Sequence, residues 1–345
     1  MTRRRAGGAV LAFVLAVAAA GAALAGCTGR PSPDDSLLSV LHVVSGGLGA
    51  GGASDNVDSA VGRLAAEGHR TDTIEVDGTD PASSKAVLES AAGQWDVIVT
   101  GTSAVAEPLG EVAAAHPEQH FVAYEAVVGQ PNVASLTYKQ NEAGFLAGVL
   151  AGLATSDPGQ FPRAAGAHDI AIVAGQETPV VEDFLIGFKA GARAVDPKVA
   201  VQTTFVGDFD DSRRAYNLAR SLYTDNGADV VFHVAGRAGS GVLRAAAEAG
   251  RYAIASESNQ NADRRGYVLA SAVRHVGTGV YDLVKAVQEG AEPWGTTTAR
   301  GVADGGVGLD FDGNDDIVPA AAKDVVTDYV RQIAEHRLFV PSVLN

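Results

Sequence analysis

The stretch Gly47-Leu48-Gly49-Ala50-Gly51-Gly52 satisfies G-x-G-x-x-G, follows a strand-like run and precedes a helical pattern, with Glu75 closing the next strand-like run. Such a loop can set backbone N–H groups around a pyrophosphate and place an acid on a ribose. Five of the seven residues from Gly46 to Gly52 are glycine, however, so composition alone can meet the pattern. The competing reading is a flexible first loop lining a cleft, with Ser54 as N-cap of the following helix. His116 and His120 lie four apart, but Pro117 breaks the helix that would bring both imidazoles to one side, so no zinc site is expected. No G-x-S-x-G elbow occurs, and the 41 acids single out no catalytic pair. Trp95 and Trp294 adjoin expected elements and read as packing residues, and the Ala/Arg-rich stretch 239–250 as a solvated amphipathic helix. Neither an enzymatic activity nor a cofactor is expected.

The single cysteine has a more specific setting. Arg3, Arg4 and Arg5 form a basic start, residues 6–26 carry no charge, and the run closes on Leu24-Ala25-Gly26-Cys27. About twenty apolar residues could span a bilayer, so a transmembrane anchor is the plain alternative. The Ala/Gly-rich run and the small residues before Cys27 favour a cleaved signal peptide at 1–26. They resemble the lipobox of bacterial lipoproteins, which implies lipidation of Cys27 and a tether over 27–36. The mature chain is then expected at the extracytoplasmic face of the cell membrane, held by its lipid.

These features need a scaffold. The chain has 345 residues, 46% hydrophobic and 19% charged, enough for two domains with cores. Its formal charge is −15, and −18 without Arg3–Arg5, which argues against nucleic acid as a partner. One cysteine forbids an internal disulfide. Strand-like runs at 40–44, 73–76, 97–100 and 120–124 alternate with helical patterns at 55–67, 82–93 and 103–115. A second series has strands at 170–173, 201–206, 230–233 and 252–255. Its helix at 179–195 shows Val180, Val181, Phe184, Leu185, Phe188 and Val195 at helical spacing, with Thr178 as cap and Pro179 in the first turn. Continuous apolar strands between helices predict an α/β protein of two doubly wound, parallel-sheet lobes, with ligand bound beyond the carboxyl ends of the strands.

In the second series the sequence resembles a known family, the basic membrane protein family of solute-binding lipoproteins. These are the purine-nucleoside-receptor-like binding proteins of ABC importers. The matching segments are Gly187-Phe188-Lys189-Ala190-Gly191, Val206-Gly207-Asp208-Phe209-Asp210-Asp211, Ala235 to Val242, Ser258-Asn259-Gln260-Asn261, Tyr281-Asp282-Leu283-Val284, Gly305 to Leu309 and Phe339-Val340-Pro341. In the first lobe, Pro131 to Ser135 and Phe145-Leu146-Ala147-Gly148 also fit. The resemblance runs in order from about residue 37 to the C-terminus. It implies a type I periplasmic-binding-protein fold with three hinge crossings, a first lobe of 37–136 plus 274–300 and a second of 137–273 plus 301–345. The ligand cleft lies at the hinge.

It further implies that Phe209 stacks on a base while Glu125, Glu257 and Arg274 serve polar groups, with Gly49, Ser54, Asn56 and Gly236 completing the ligand-binding set. This chain has Glu where Asp is usual at two of those positions, Arg274 where Lys is usual, and no aromatic in the first loop. A core role for Phe209 is the plain alternative. The expected function is that of a lipid-anchored, monomeric solute-binding protein delivering a small polar ligand, a purine nucleoside by resemblance, to an ABC permease and ATPase encoded as separate chains. A ligand-sensing or surface-interaction lipoprotein on the same fold is the alternative.

Overall fold

The computed structural model describes residues 37–344 except Ala50 and Thr79, so Cys27 and the leader lie outside the described residues. Two six-stranded sheets organise the chain. The first has the order β11 (Thr297–Arg300), β5 (Val133–Tyr138), β4 (His120–Tyr124), β3 (Val97–Gly101), β1 (Ser39–Ser45) and β2 (Arg70–Val76). Its pairs are all parallel. The second runs β12 (Val307–Asp310), β10 (Val268–Arg274), β9 (Tyr252–Glu257), β8 (Val230–Val234), β6 (Asp169–Ala174) and β7 (Ala200–Phe205). There β12 pairs antiparallel with β10, a departure from the all-parallel expectation. Strand β12 arrives directly from the other sheet after β11, with no crossover helix to reverse its direction.

The expected helices form as α1 (Ala53–Ala66), α2 (Pro81–Ala91), α3 (Ala106–Ala115, after a short 3₁₀ turn), α5 (Pro179–Val195) and α7 (Gly239–Ala249). In α5, Thr178 Oγ1 accepts the Val181 N–H and Pro179 opens the first turn, as its sequence signals require. One expectation fails. Ser54 is not the cap of α1; Gly52 is, and Ser54 lies inside the helix. The Asp55 carboxylate closes the start by accepting the N–H groups of Gly49 (2.6 Å) and Gly52 (3.2 Å), which displaces Ser54 from the capping task. In α7, Val242, Leu243, Ala245 and Ala246 are buried, so the helix is a core element with one solvated face.

Among the described residues four further helices form: α4 (Gln140–Ser156), α6 (Ser212–Thr224), α8 (Val276–Gln288) and α9 (Ala320–Ala334). Nearly all of α4 is buried, which matches a run that is apolar on every side. It crosses α5 at backbone contact. A Cβ on Gly148 would lie 2.1 Å from the Phe188 carbonyl oxygen, and one on Gly191 2.0 Å from that of Phe145. The chain passes between the sheets three times: from β5 into α4, from β10 into α8, and from β11 to β12. Hydrogen bonds tie these passages together: the Lys139 N–H donates to the Arg300 carbonyl (2.8 Å) and the Tyr138 hydroxyl to that of Val276 (3.2 Å).

Candidate functional site

The carboxyl ends of β4, β9 and β10 meet in one charged cluster. Arg274, the last residue of β10, is only 7% exposed. Its Nη1 pairs with Glu125, the residue after β4, while its Nε (3.0 Å) and Nη2 both reach Glu257 Oε2 at the end of β9. Strands β4 and β9 belong to different sheets, so one guanidinium clasps both lobes. Glu125 (φ 55°) and Glu257 (φ 74°) both sit in the left-handed region, unusual for residues with a side chain. Such backbone costs on the order of 1–2 kcal/mol each and persists only where the surroundings hold it. Here the Glu125 N–H on the Leu136 carbonyl (2.8 Å) and the shared guanidinium supply that hold.

Burial pushes the Glu125 carboxyl above its ordinary range; Arg274 opposes this and Glu257 adds to it. For Arg274, burial alone would lower the pKa, but the two carboxylates outweigh it and hold the guanidinium above its usual value. The cluster thus holds two acids on one cation. Each carboxylate is 16–19% exposed, so both retain access to solvent or ligand.

Phe209 reaches the same end of the second sheet through a tight loop. Asp208 Oδ1 accepts the N–H groups of Asp210 and Asp211, each at 2.7 Å, and the Phe209 carbonyl accepts the Ala238 N–H at 2.9 Å. The half-buried ring lies on Gly175, where a Cβ would come within 2.3 Å of Phe209 Cδ1. Gly236, at φ 53°, would press a Cβ onto Phe209 at 3.2 Å. Glycine at both positions is therefore what seats the ring.

The first loop is folded on its own acids. Leu48 N–H donates to Glu75 Oε2 at 3.0 Å, and Gly49 and Gly52 donate to Asp55. The N–H groups that a pyrophosphate would need are thus occupied by carboxylates, against the dinucleotide reading. The Asn56 amide donates back to the Gly52 carbonyl (2.9 Å). Ser54 Oγ lies 3.2 Å from Tyr124 Oη, one residue before Glu125. A Cβ on Gly51 would sit 3.7 Å from Ser258 Oγ, so this loop faces the loop after β9.

Sequence reasoning missed His42, Tyr124 and Asp55. A histidine inside the apolar run Val40-Leu41-His42-Val43-Val44 was the available signal, because a polar group in such a strand must find a partner. His116 ends α3, while His120 opens β4 and stacks on Trp294 at 4.0 Å. Among the described residues no group of three or more His, Cys, Asp or Glu could hold a metal ion, and no helix is long and apolar enough to cross a membrane. A hollow of about 560 Å³ near Trp95, Gln119 and His120 opens at the other end of the first sheet, away from Arg274. The Gln119 side chain there is spent on backbone groups of Gly93, Trp95 and His120.

Two linked α/β lobes with polar and aromatic side chains gathered at their strand ends define the substrate-binding class of two-lobed proteins. Residues 39–341 match the Bmp family, described as "ABC transporter substrate-binding protein PnrA-like", and the chain belongs to that family. A relative from Lactococcus lactis, the "ABC transporter nucleoside-binding protein BmpA", is 29% identical over 66% of this chain and 66% of its own length. "Basic membrane protein D" of Borreliella burgdorferi is 31% identical over 54% of this chain and 52% of its own. The chain thus spans about two thirds or less of these two relatives. Among solved structures, an ABC transporter solute-binding protein from Aeropyrum pernix K1 superposes with a TM-score of 0.75 at 24% identity, covering 88% of this chain and 94% of its own. One from Conexibacter woesei gives 0.72 at 24%, covering 88% and 99%.

Proposed function

We propose that the protein is the lipid-anchored, extracytoplasmic binding component of an ABC importer and that its ligand is a purine nucleoside. The observation that carries this reading is the Glu125–Arg274–Glu257 cluster, drawn from both lobes and lying at the strand ends where a cleft ligand binds. Carboxylates accept hydrogen bonds from ribose hydroxyls and base N–H groups, and Phe209 offers an aromatic face. The name of the Lactococcus relative supports a nucleoside, and a family member at the cell surface needs an anchor, for which Cys27 follows a complete signal. A separate permease and ATPase complete the importer.

The test is calorimetric titration of inosine, guanosine and adenosine into the soluble chain. Phe209→Ala should weaken binding by ~1–3 kcal/mol, a roughly 5- to 150-fold rise in Kd. No binding of any nucleoside to the parent sinks the nucleoside assignment, and binding unchanged by the loss of Phe209 sinks the stacking role. For the anchor, Cys27→Ser should release the protein from the membrane fraction or leave a precursor. A Ser variant processed and retained like the parent would refute lipidation.

A further inference from the structure

Beneath the first loop, four side chains form a chain of polar contacts. His42, fully buried in β1, places Nδ1 3.7 Å from Asp58 Oδ1 and Nε2 3.1 Å from Tyr124 Oη. Tyr124, also fully buried, meets Ser54 Oγ at 3.2 Å. Asp58 is held by Thr73, whose hydroxyl donates to Oδ1 at 2.7 Å. No hydrogen bond reaches His42 Nδ1 among the described residues, so the Asp58 carboxylate is the charge it faces.

Proton positions follow from charge. A neutral imidazole carries one hydrogen. On Nδ1 it points its positive end at the Asp58 carboxylate; on Nε2 it would leave a lone pair facing that anion. With the hydrogen on Nδ1, Nε2 can only accept, so Tyr124 spends its one hydrogen there. The Tyr124 oxygen can then only accept from Ser54, which spends its one hydrogen in turn. The ionisable groups acting on this chain are Asp58 on His42, and Glu125, Asp55 and Asp58 on Tyr124. All are acids, and all favour keeping these hydrogens in place. Burial also keeps His42 neutral down to about pH 4 and Tyr124 a phenol well above its ordinary range.

We infer that Asp58, His42 and Tyr124 are positioning residues that fix Ser54, beside the Glu125–Arg274–Glu257 cluster, as a hydrogen-bond acceptor for a ligand hydroxyl. This deepens the function proposed above and relies on it only for the choice of probe ligand. Nothing in the run Ala53-Ser54-Asp55 assigns Ser54 that polarity; it comes from a histidine twelve residues away and a tyrosine on another strand.

Long-range ¹H–¹⁵N spectra of the ligand-free protein, with His42 assigned by its loss in His42→Gln, should show the neutral Nδ1–H form from pH 5.5 to 8. An Nε2–H form or a cation in that range overturns the inference whatever the ligand. Calorimetry with inosine and its 2′-, 3′- and 5′-deoxyfluoro analogues reads the Ser54 end, because fluorine keeps the size and removes the donor. One analogue should bind the parent about 2- to 12-fold more weakly, the worth of one hydrogen bond. Tyr124→Phe should shrink that penalty by freeing the Ser54 hydrogen to point at the fluorine. His42→Leu should act like Tyr124→Phe, and His42→Gln, whose amide oxygen can accept from Tyr124, should restore the penalty. A penalty unchanged in Tyr124→Phe overturns the role of Ser54. If inosine does not bind the parent, the nucleoside reading falls while the spectrum still decides the proton relay.

Discussion

Arg274 pairs with one acid from each lobe, and that makes it costly to remove. Taking away one partner of a buried ion pair leaves charge uncompensated, typically at about 3–5 kcal/mol. Because Glu125 and Glu257 keep 16% and 19% of their surface, Arg274→Met should fall toward the lower end. Urea denaturation reads this directly. In that variant stability should recover as pH falls, since the Glu125 carboxyl, already raised by burial and no longer opposed by Arg274, takes up a proton. The triple variant Glu125→Gln, Arg274→Met, Glu257→Gln should regain much of the loss. A denaturation midpoint equal to the parent's in Arg274→Met would mean the cluster contributes nothing to the fold.

Between elements, the crossing of α4 and α5 makes a sharper demand than any single contact. Gly148 and Gly191 bring backbone against backbone, so an added methyl meets a carbonyl that cannot swing aside. Overpacking of this kind costs about 1–3 kcal/mol, and Gly148→Ala should be destabilised by that amount despite its better helix propensity. Gly62 in α1 is the control: it is exposed, with nothing within 4 Å of where its Cβ would stand. Gly62→Ala should therefore gain ~0.5–1 kcal/mol. Denaturation of the two variants should move in opposite directions, and a shared direction would contradict the packing argument.

Across the whole molecule, buried histidines set the response to acid. Burial lowers His42 and His233 from 6.5 to about 4. The unfolded chain then binds more protons than the folded one between those values, so stability rises with pH across that window and falls on acidification. Each histidine contributes on the order of 3 kcal/mol of this loss. Glu125 acts with the opposite sign. Its raised folded pKa means that the folded state holds the extra proton, so acid favours the fold from that value down to the ordinary 4.5. The denaturation midpoint should drop between pH 6.5 and 4.5, and the drop should shrink in His42→Gln and His233→Gln. A parent whose midpoint is flat over that range would refute the assignment of neutral buried histidines.

How far the sequence reaches differs between fold and site. The continuous apolar runs and the helical spacing between them determine the two parallel-sheet series, because run length and a 3.6-residue period are local properties of the chain. Thr178 and Pro179 mark the start of α5 for the same reason. Strands β11 and β12 were not legible by pattern, since β11 pairs with the distant β5 and β12 gains its direction only by crossing from the other sheet. Glu125, Glu257 and Arg274 stood out only through family resemblance, being three charged residues 132 and 17 positions apart with no spacing rule to join them. Tertiary structure decided that they share one guanidinium, that Asp55 and not Ser54 closes the start of α1, and that His42 reaches Tyr124. Each is a contact between strand ends or loops remote in sequence, and only the folded sheets bring those ends together.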